Sequence, residues 1–439
     1  MQNKLIVNII AANLLWSFIP VIVEDLFLEV SIIMVIFLRF LISGLVLLTL
    51  ALIFVVINNR KSIKAPISIR FLFKNLLHKN RRFFDIRNIS YYFYLGFFGV
   101  ILNIIFFFLT LKTTSITFTM IGFLLSVILI AFYEKGVNFE KFDIFKVLYI
   151  IILFFSIIIL ILVGSTGAAL KGRPLMLNGI IYLLVFSIAI SFLYIIINRD
   201  AYSTEEIKIV NQNKNYKIPR FLIKMSISFL MGVLCMIPVV IIIYLLPIET
   251  DLTNEITTFF AQFRNIFLIL GRWELIFLII FSTIVPYLLI FTANANWRSR
   301  DLTYSQWSSI LNLIDPMGSI IFSVIMVNEY FPLELLIIII FLLVFAFVFR
   351  YSHEVKNLVQ AFLLLRLKKG SIDKIALRIF KYYGITSVYT LVGTHDLFLN
   401  VKLSSIKDFY NLINLRLKPL KEIEDIEILF INKIEKIPI

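Results

Sequence analysis

Ten apolar runs, each long enough to cross a bilayer, dominate the chain at 5–23, 31–56, 91–111, 114–133, 143–164, 176–197, 219–246, 272–296, 302–327 and 333–350. A helix rises about 1.5 Å per residue, so about 20 apolar residues cross the hydrocarbon core. In that solvent every backbone N–H and C=O must pair internally, and a run of this length does so only as a helix. The expected fold class is therefore an all-α polytopic membrane protein. Composition agrees, with 60% hydrophobic residues against about 45–50% in soluble domains. The stretch 251–271 contains "FRNIFLIL" but is too short and too polar at its start to span. It reads as an interfacial segment or an extension of the eighth span.

Charge gives the orientation. The connection 57–90 carries Arg60, Lys61, Lys64, Arg70, Lys74, Lys79, Arg81, Arg82 and Arg87 against one acid, Asp85. The connection 198–220 and "WRSRD" at 297–301 are also basic. The alternate connections are acidic: Glu24, Asp25 and Glu29; Glu249, Asp251 and Glu255; Glu329 and Glu334. The positive-inside rule then places both termini in the cytoplasm of a cell-membrane protein. The exception is 165–175, expected outside yet holding Lys171 and Arg173. The 57–90 segment reads as a topology determinant and lipid-facing arm. The net charge of +15 follows the connections, so lipid headgroups explain it better than nucleic acid, and no nucleic-acid partner is expected.

Several chemistries find no support. Cys235 is the single cysteine, so no disulfide forms within a monomer. His78, His353 and His395 are scattered without metal-ligand spacing. No P-loop or nucleophile–base pair occurs. The expectation is no enzyme, no cofactor and no metal.

Beyond 350 the pattern changes. "AFLLLRLK" (361–368) reads as a strand. Ser371 can cap a helix with Ile372, Ile375, Ala376, Ile379, Phe380 and Tyr383 at helical spacing, stopped by Gly384. "ITSVYTLVG" and "DLFLNVKL" read as two strands joined at Gly393. Ser404 and Ser405 cap a second helix to about Lys418, and "IEILFINKI" is a last strand. The order βαββαβ is that of a small α+β ferredoxin-like domain, which ten spans leave in the cytoplasm.

The spans look like two sets of five. An apolar run, a Glu, a short loop and another apolar run recur in "LIAFYEKGVNFEKFDIF" around Glu134 and in "SVIMVNEYFPLELL" around Glu329. The two glutamates fall on opposite faces, as in an inverted-topology repeat. The opening pair, "ANLLWSFIPVIVEDLF" and "VIFLRFLISGLVLL", resembles that of the EamA-type transporters of the drug/metabolite transporter superfamily, in Trp16–Ser17, Pro20 and Arg39–Phe40. "LNLIDPMGSIIFSVIMVNEYF" (311–331) is similar to that family's penultimate helix, in Asp315–Pro316 and Glu329. The resemblance covers about 1–350 and implies a carrier of ten spans in two inverted repeats, 1–165 and 176–350. A linker, 351–359, leads to the tail domain, 360–439.

The tail resembles the effector-binding domain of the Lrp/AsnC regulators over about 360–436, most specifically at the turn Gly393-Thr394-His395-Asp396. In those regulators the domain dimerises through its sheet and binds small effectors, often amino acids, near that turn. The resemblance implies effector sensing or a homodimer. With the first resemblance it implies a secondary transporter of a small polar metabolite, an amino acid or derivative, acting in export. The alternatives are a membrane receptor that senses without transport and a carrier whose tail only dimerises it.

Candidate residues carry two readings each. Asp315, mid-span in the ninth run, is a substrate-amine or proton-coupling site, or a helix-break device beside Pro316. Arg39 binds a substrate carboxylate or pairs with an acid, or else snorkels or locks helix packing. Asn13, Trp16 and Ser17 in the first run, Tyr182, Ser187, Ser191 and Tyr194 in the sixth, and Tyr287, Asn294 and Asn296 in the eighth either line a midplane cavity or bond helix to helix. Pro20, Pro238, Pro286 and Pro316 kink their helices. In the tail, Gly393, Thr394 and Asp396 are the effector-site candidates, with Asp396 alternatively a cap for backbone amides.

Overall fold

The computed structural model describes residues 2–430 except 62–66, 78–87, 139–142, 171, 173–176, 198–205, 207–208, 211–212, 246–249, 298–301, 303, 357–358, 369–371, 381, 383, 404–408, 411 and 421. Lys171, Arg173 and the caps expected at Ser371, Ser404 and Ser405 lie outside the described residues, as does the side chain of Glu134.

The ten runs form ten helices long and apolar enough to cross a membrane: Asn3–Glu29, Ile32–Arg60, Ser90–Thr113, Ile116–Tyr133, Ile144–Leu170, Leu177–Ile196, Lys217–Leu245, Trp273–Asn294, Gln306–Met326 and Leu333–Val355. They are called the first to tenth spans. Odd spans start at one face of the bundle, the basic face, and even spans end there. The stretch from Asp251 to Leu270 is not an extension of the eighth span. It folds as its own helix, Asp251–Gln262, followed by short turns.

The packing repeats with a shift of five. The first span packs on the eighth and ninth, and the sixth packs on the third and fourth. The second packs on the seventh, the fourth on the ninth and the fifth on the tenth. Adding five to each number maps this set onto itself. Five is odd, so equivalent spans run in opposite directions, which makes the repeat inverted.

Glycines set the closest crossings. A Cβ on Gly232 of the seventh span would stand 2.6 Å from the Gly96 carbonyl oxygen of the third. One on Gly318 of the ninth would stand 2.6 Å from Ser17 Oγ of the first, and one on Gly122 of the fourth would run into the Phe186 ring of the sixth. The last two crossings are equivalent under the shift of five. Close approach over small residues is how helices associate where lipid removes the hydrophobic drive.

The helix Asp251–Gln262 closes the acidic face. Glu255 accepts from the Ile32 amide at 2.7 Å and pairs with Lys112, while its carbonyl accepts from Ser31 Oγ at 2.7 Å. Gln262 accepts from the Ser31 amide and donates to the Glu29 carbonyl. One helix thus ties together the first, second and third spans. Nearby, Glu329 accepts from the Thr117 amide at 3.1 Å, a carboxylate at a helix N-terminus.

At the basic face, Asp143 meets His353 at 2.7 Å, and Glu354 holds Arg350 at 2.6 Å and Gln306 at 2.9 Å. These contacts pin the end of the tenth span to the starts of the fifth and ninth. The helix Ile69–Leu77 in the basic insertion turns Leu72 and Leu76 into the protein, with Phe71 beside Tyr216. Among the described side chains of this helix, Arg70 and Lys74 are the exposed ones. This part of the insertion is docked on the bundle, contrary to a lipid-facing arm, because its apolar face is protein-covered.

The tail follows almost at once. Its strands are β1 (Val359–Leu367), β2 (Ile385–Thr390), β3 (Leu397–Leu403) and β4 (Ile423–Phe430), all antiparallel in the order β2-β3-β1-β4. With the helix Ile372–Phe380 and the helical turn Ile413–Leu417 this is the expected ferredoxin-like order. Alternation buries Leu397, Leu399, Val401 and Leu403 with Ala361, Leu363 and Leu365. Gly384 takes φ +88°, where a side chain would also strike Leu403.

Asp396 serves this sheet. Its Oδ2 accepts from the Leu367 amide at 2.6 Å, its amide donates to the Leu365 carbonyl, and its carbonyl accepts from the Leu391 amide. Asp396→Ala removes a charged acceptor and strands an amide, a loss of about 1–3 kcal/mol. In the full chain the tail should then be cut faster by added protease while the bundle stays intact. Unchanged cleavage would contradict that role.

Candidate functional site

Pro286 builds the centre of the bundle. It has no amide hydrogen, so the Ser282 carbonyl, four residues earlier, loses its helical donor. The eighth span answers with a π-turn over Ile280–Ile284. Two side chains from other spans take the freed carbonyl: Trp16 Nε1 donates to it at 3.0 Å and Arg39 Nη2 at 3.3 Å. Arg39 Nε donates to Thr283 Oγ1 at 2.8 Å. The first, second and eighth spans therefore converge on one turn.

Aromatic rings enclose that point. Tyr287 meets Trp16 edge-on at 5.9 Å and Phe229 at 5.5 Å, and Phe229 meets Phe40 at 5.1 Å. Tyr194 of the sixth span stands in electrostatic range of both Tyr287 and Asp315. Asp315 opens the second half of the ninth span. Pro316 cannot donate to the Asn312 carbonyl, and the helix breaks between Leu311 and Ile314. Among the described residues, Asp315 accepts one hydrogen bond, from Ser319 Oγ at 3.5 Å.

The electrostatics are unusual for membrane depth. Among the described residues, Arg39 is buried with no acid in ion-pairing range, and its Nη1 has no partner. Asp315 is buried with no base in ion-pairing range among the described residues. A single unpaired charge at this depth costs roughly 2.5–3.5 kcal/mol on insertion scales. Here a basic and an acidic residue, each without a counter-ion among the described residues, lie in the bundle with Tyr287 near the first and Tyr194 near the second.

The structure brings Trp16, Arg39 and Tyr287 together at the Pro286 turn, sets Asp315 near Tyr194, and places the other candidates elsewhere. Asn13 donates to the Ile9 carbonyl of its own helix. Ser17 donates to the Leu14 carbonyl, and its carbonyl accepts from Ser319 at the Gly318 crossing. Ser187 and Ser191 bond back along the sixth span. Tyr182 stands near Asp251 at the acidic face. Asn294 and Asn296 are exposed at the end of the eighth span. In the tail, Gly393 takes φ +148° in open space, and Thr394 is exposed, its hydroxyl 3.2 Å from His395 Nδ1. Ser282 and Thr283 were not singled out from sequence, although Pro286 four residues beyond Ser282 carries the signal for its carbonyl.

Comparison with known proteins gives two matches. Residues 3–162 match the EamA-like transporter family, which is a family of transporters and not of enzymes. Residues 360–437 match the Lrp/AsnC ligand binding domain. No curated protein matches the chain. The first match covers the first five spans. The chain is thus a multi-pass membrane protein whose first five spans are similar to the EamA-like transporter family and whose tail is similar to the Lrp/AsnC ligand binding domain.

Proposed function

We propose that the chain is a secondary transporter that exports a zwitterionic metabolite, an amino acid or a derivative, across the cell membrane by alternating access. The supporting observation is the pair of buried ionisable residues, Arg39 and Asp315, each without a counter-ion among the described residues, with Trp16 and Tyr287 beside Arg39. In this reading Arg39 takes the substrate carboxylate and Asp315 its ammonium group, while Trp16 and Tyr287 pack on the rest. Asn13, Ser17 and Tyr182 hold helices in place, and Asn294, exposed at the end of the eighth span, takes no part in the site. The repeats are 1–165 and 176–350, and the basic face with both termini is cytoplasmic, as charge bias favours.

The tail, 360–439, reads cytosolic effector level near Gly393 and Thr394. It connects to the carrier through the tenth span, which ends two residues before β1. Glu354 on that span holds Gln306, on the half of the ninth span that precedes the break at Asp315. An effector acts through this link only if it binds two carrier conformations unequally. Gln306→Leu should keep basal flux and lose the response to amino acids added on the tail side of inside-out vesicles. A full response in this variant would remove the link. The rival role, in which the tail only dimerises the carrier, draws on the sheet face away from the helices. There Phe362, Phe398 and half-exposed Tyr389 cluster, with Phe362 and Phe398 4.8 Å apart.

The test is efflux from cells expressing the full chain and loaded with labelled amino acids and related metabolites. Efflux of a defined compound above cells without the chain supports the carrier. Folded protein in the membrane with no flux favours a receptor that senses without transport.

A further inference from the structure

Arg39 has a neighbour that sequence gives no reason to notice. Ser43 lies one turn along the second span on the same face, at the i,i+4 spacing that brings side chains together. It is fully buried, and its hydroxyl has no partner. That is out of keeping with the rest of the bundle. A helical serine ordinarily donates to the carbonyl three or four residues back. Ser126, Ser156, Ser228 and Ser282 do so. The buried Ser226 and Ser319 reach carbonyls on other spans instead. Among the described residues Ser43 is the buried serine left without a bond.

The guanidinium beside it is half used. Nε and Nη2 are fixed by Thr283 Oγ1 and the Ser282 carbonyl, which locks the group in place. Nη1 remains, buried and unbonded. A charged N–H and a rotatable O–H, one turn apart and both unbonded, are two donors with no acceptor. Leaving them so in a dry interior is costly, and an acceptor that reaches both removes the cost.

We propose that Arg39 Nη1 and Ser43 Oγ form a two-donor subsite for the carboxylate of the substrate, with Ser43 as a specificity-determining residue. This rests on the carrier reading above. The charge arithmetic selects the group: one fixed cation with a single free N–H edge suits a monoanionic carboxylate better than a phosphate dianion. A site that must satisfy two buried donors also rejects analogues lacking the acceptor more strongly than an apolar pocket rejects a missing methylene.

The experiment uses the purified full chain in detergent. Heat stability is titrated with a panel of L-amino acids and, separately, with the corresponding amides, in which the carboxylate is neutralised. Acids stabilise the wild type and amides do not. Ser43→Ala raises the half-saturating concentration of the acids about tenfold, while Ser43→Thr, which keeps the hydroxyl, stays near wild type. The Thr variant also separates loss of the donor from loss of the fold. Equal binding of acids by wild type and Ser43→Ala overturns the proposal, as does binding of amides as tight as that of acids. No stabilisation by any acid also overturns it. Flux of a compound without a carboxylate in that last case would leave the carrier standing and the subsite refuted.

Discussion

Alanine at Gly96 should leave almost no folded protein in the membrane. The added Cβ would fall on the Ser228 carbonyl oxygen, with the Gly232 amide nitrogen 2.9 Å away. Both are backbone atoms of the seventh span, so no side chain can rotate aside. The third and seventh spans would have to part along their whole crossing, which removes packing on both sides. Overpacking against backbone costs about 3 kcal/mol or more, a large share of a membrane protein's stability. Gly167→Ala is the control, because its Cβ would meet nothing closer than the Tyr330 carbonyl oxygen at 3.7 Å. The measurement is the yield of monodisperse protein after detergent extraction, with its melting temperature. Near-normal yield for Gly96→Ala would mean that the crossing is looser than described.

Asp315→Asn has the opposite character, since it should spare the fold and stop transport. Asparagine is isosteric and keeps a contact for Ser319, the bonded neighbour of Asp315 among the described residues. Removing a buried acid that has no counter-ion among the described residues should even raise the melting temperature slightly. Transport suffers because an ammonium group loses its anionic partner. A hydrogen bond to a charged group contributes about 1.5–3 kcal/mol, or about 10- to 100-fold in the initial rate at low substrate. Stability and activity therefore move in opposite directions, a pattern that misfolding does not produce. Wild-type rates in Asp315→Asn would remove the carboxylate from the substrate site.

Much of the architecture was legible in the sequence because a bilayer tolerates few alternatives. All ten spans lie where hydropathy puts them, and the tail strands follow their alternation, with the last one shifted to Ile423–Phe430. The centre was legible in part. Trp16, Arg39, Tyr287 and Asp315 are polar or aromatic residues at mid-span, a costly placement that points inward. Asn13 and Ser17 look equally suitable in sequence, yet each bonds back along its own helix, and side-chain rotamers decide that. Ser282 acts through its carbonyl, which residue identity does not encode except through the proline beyond it. Ser43 stands out only against twelve other buried serines that are bonded, a comparison that requires coordinates. The latch of Glu255 on Ile32 and Lys112 joins segments more than 140 residues apart. Likewise Asp396 belongs to β1 rather than to its own turn, because strand register brings Leu367 to it.

The most direct test is counterflow in liposomes containing only the purified full chain. The vesicles are loaded with an unlabelled amino acid, and the same compound is added outside with label. A carrier with this centre accumulates label transiently for at least one zwitterionic amino acid, and Asp315→Asn does not. No accumulation for any amino acid, with protein shown to be folded in the vesicles, would contradict transport of this substrate class and leave the Lrp/AsnC domain as a sensor at the membrane.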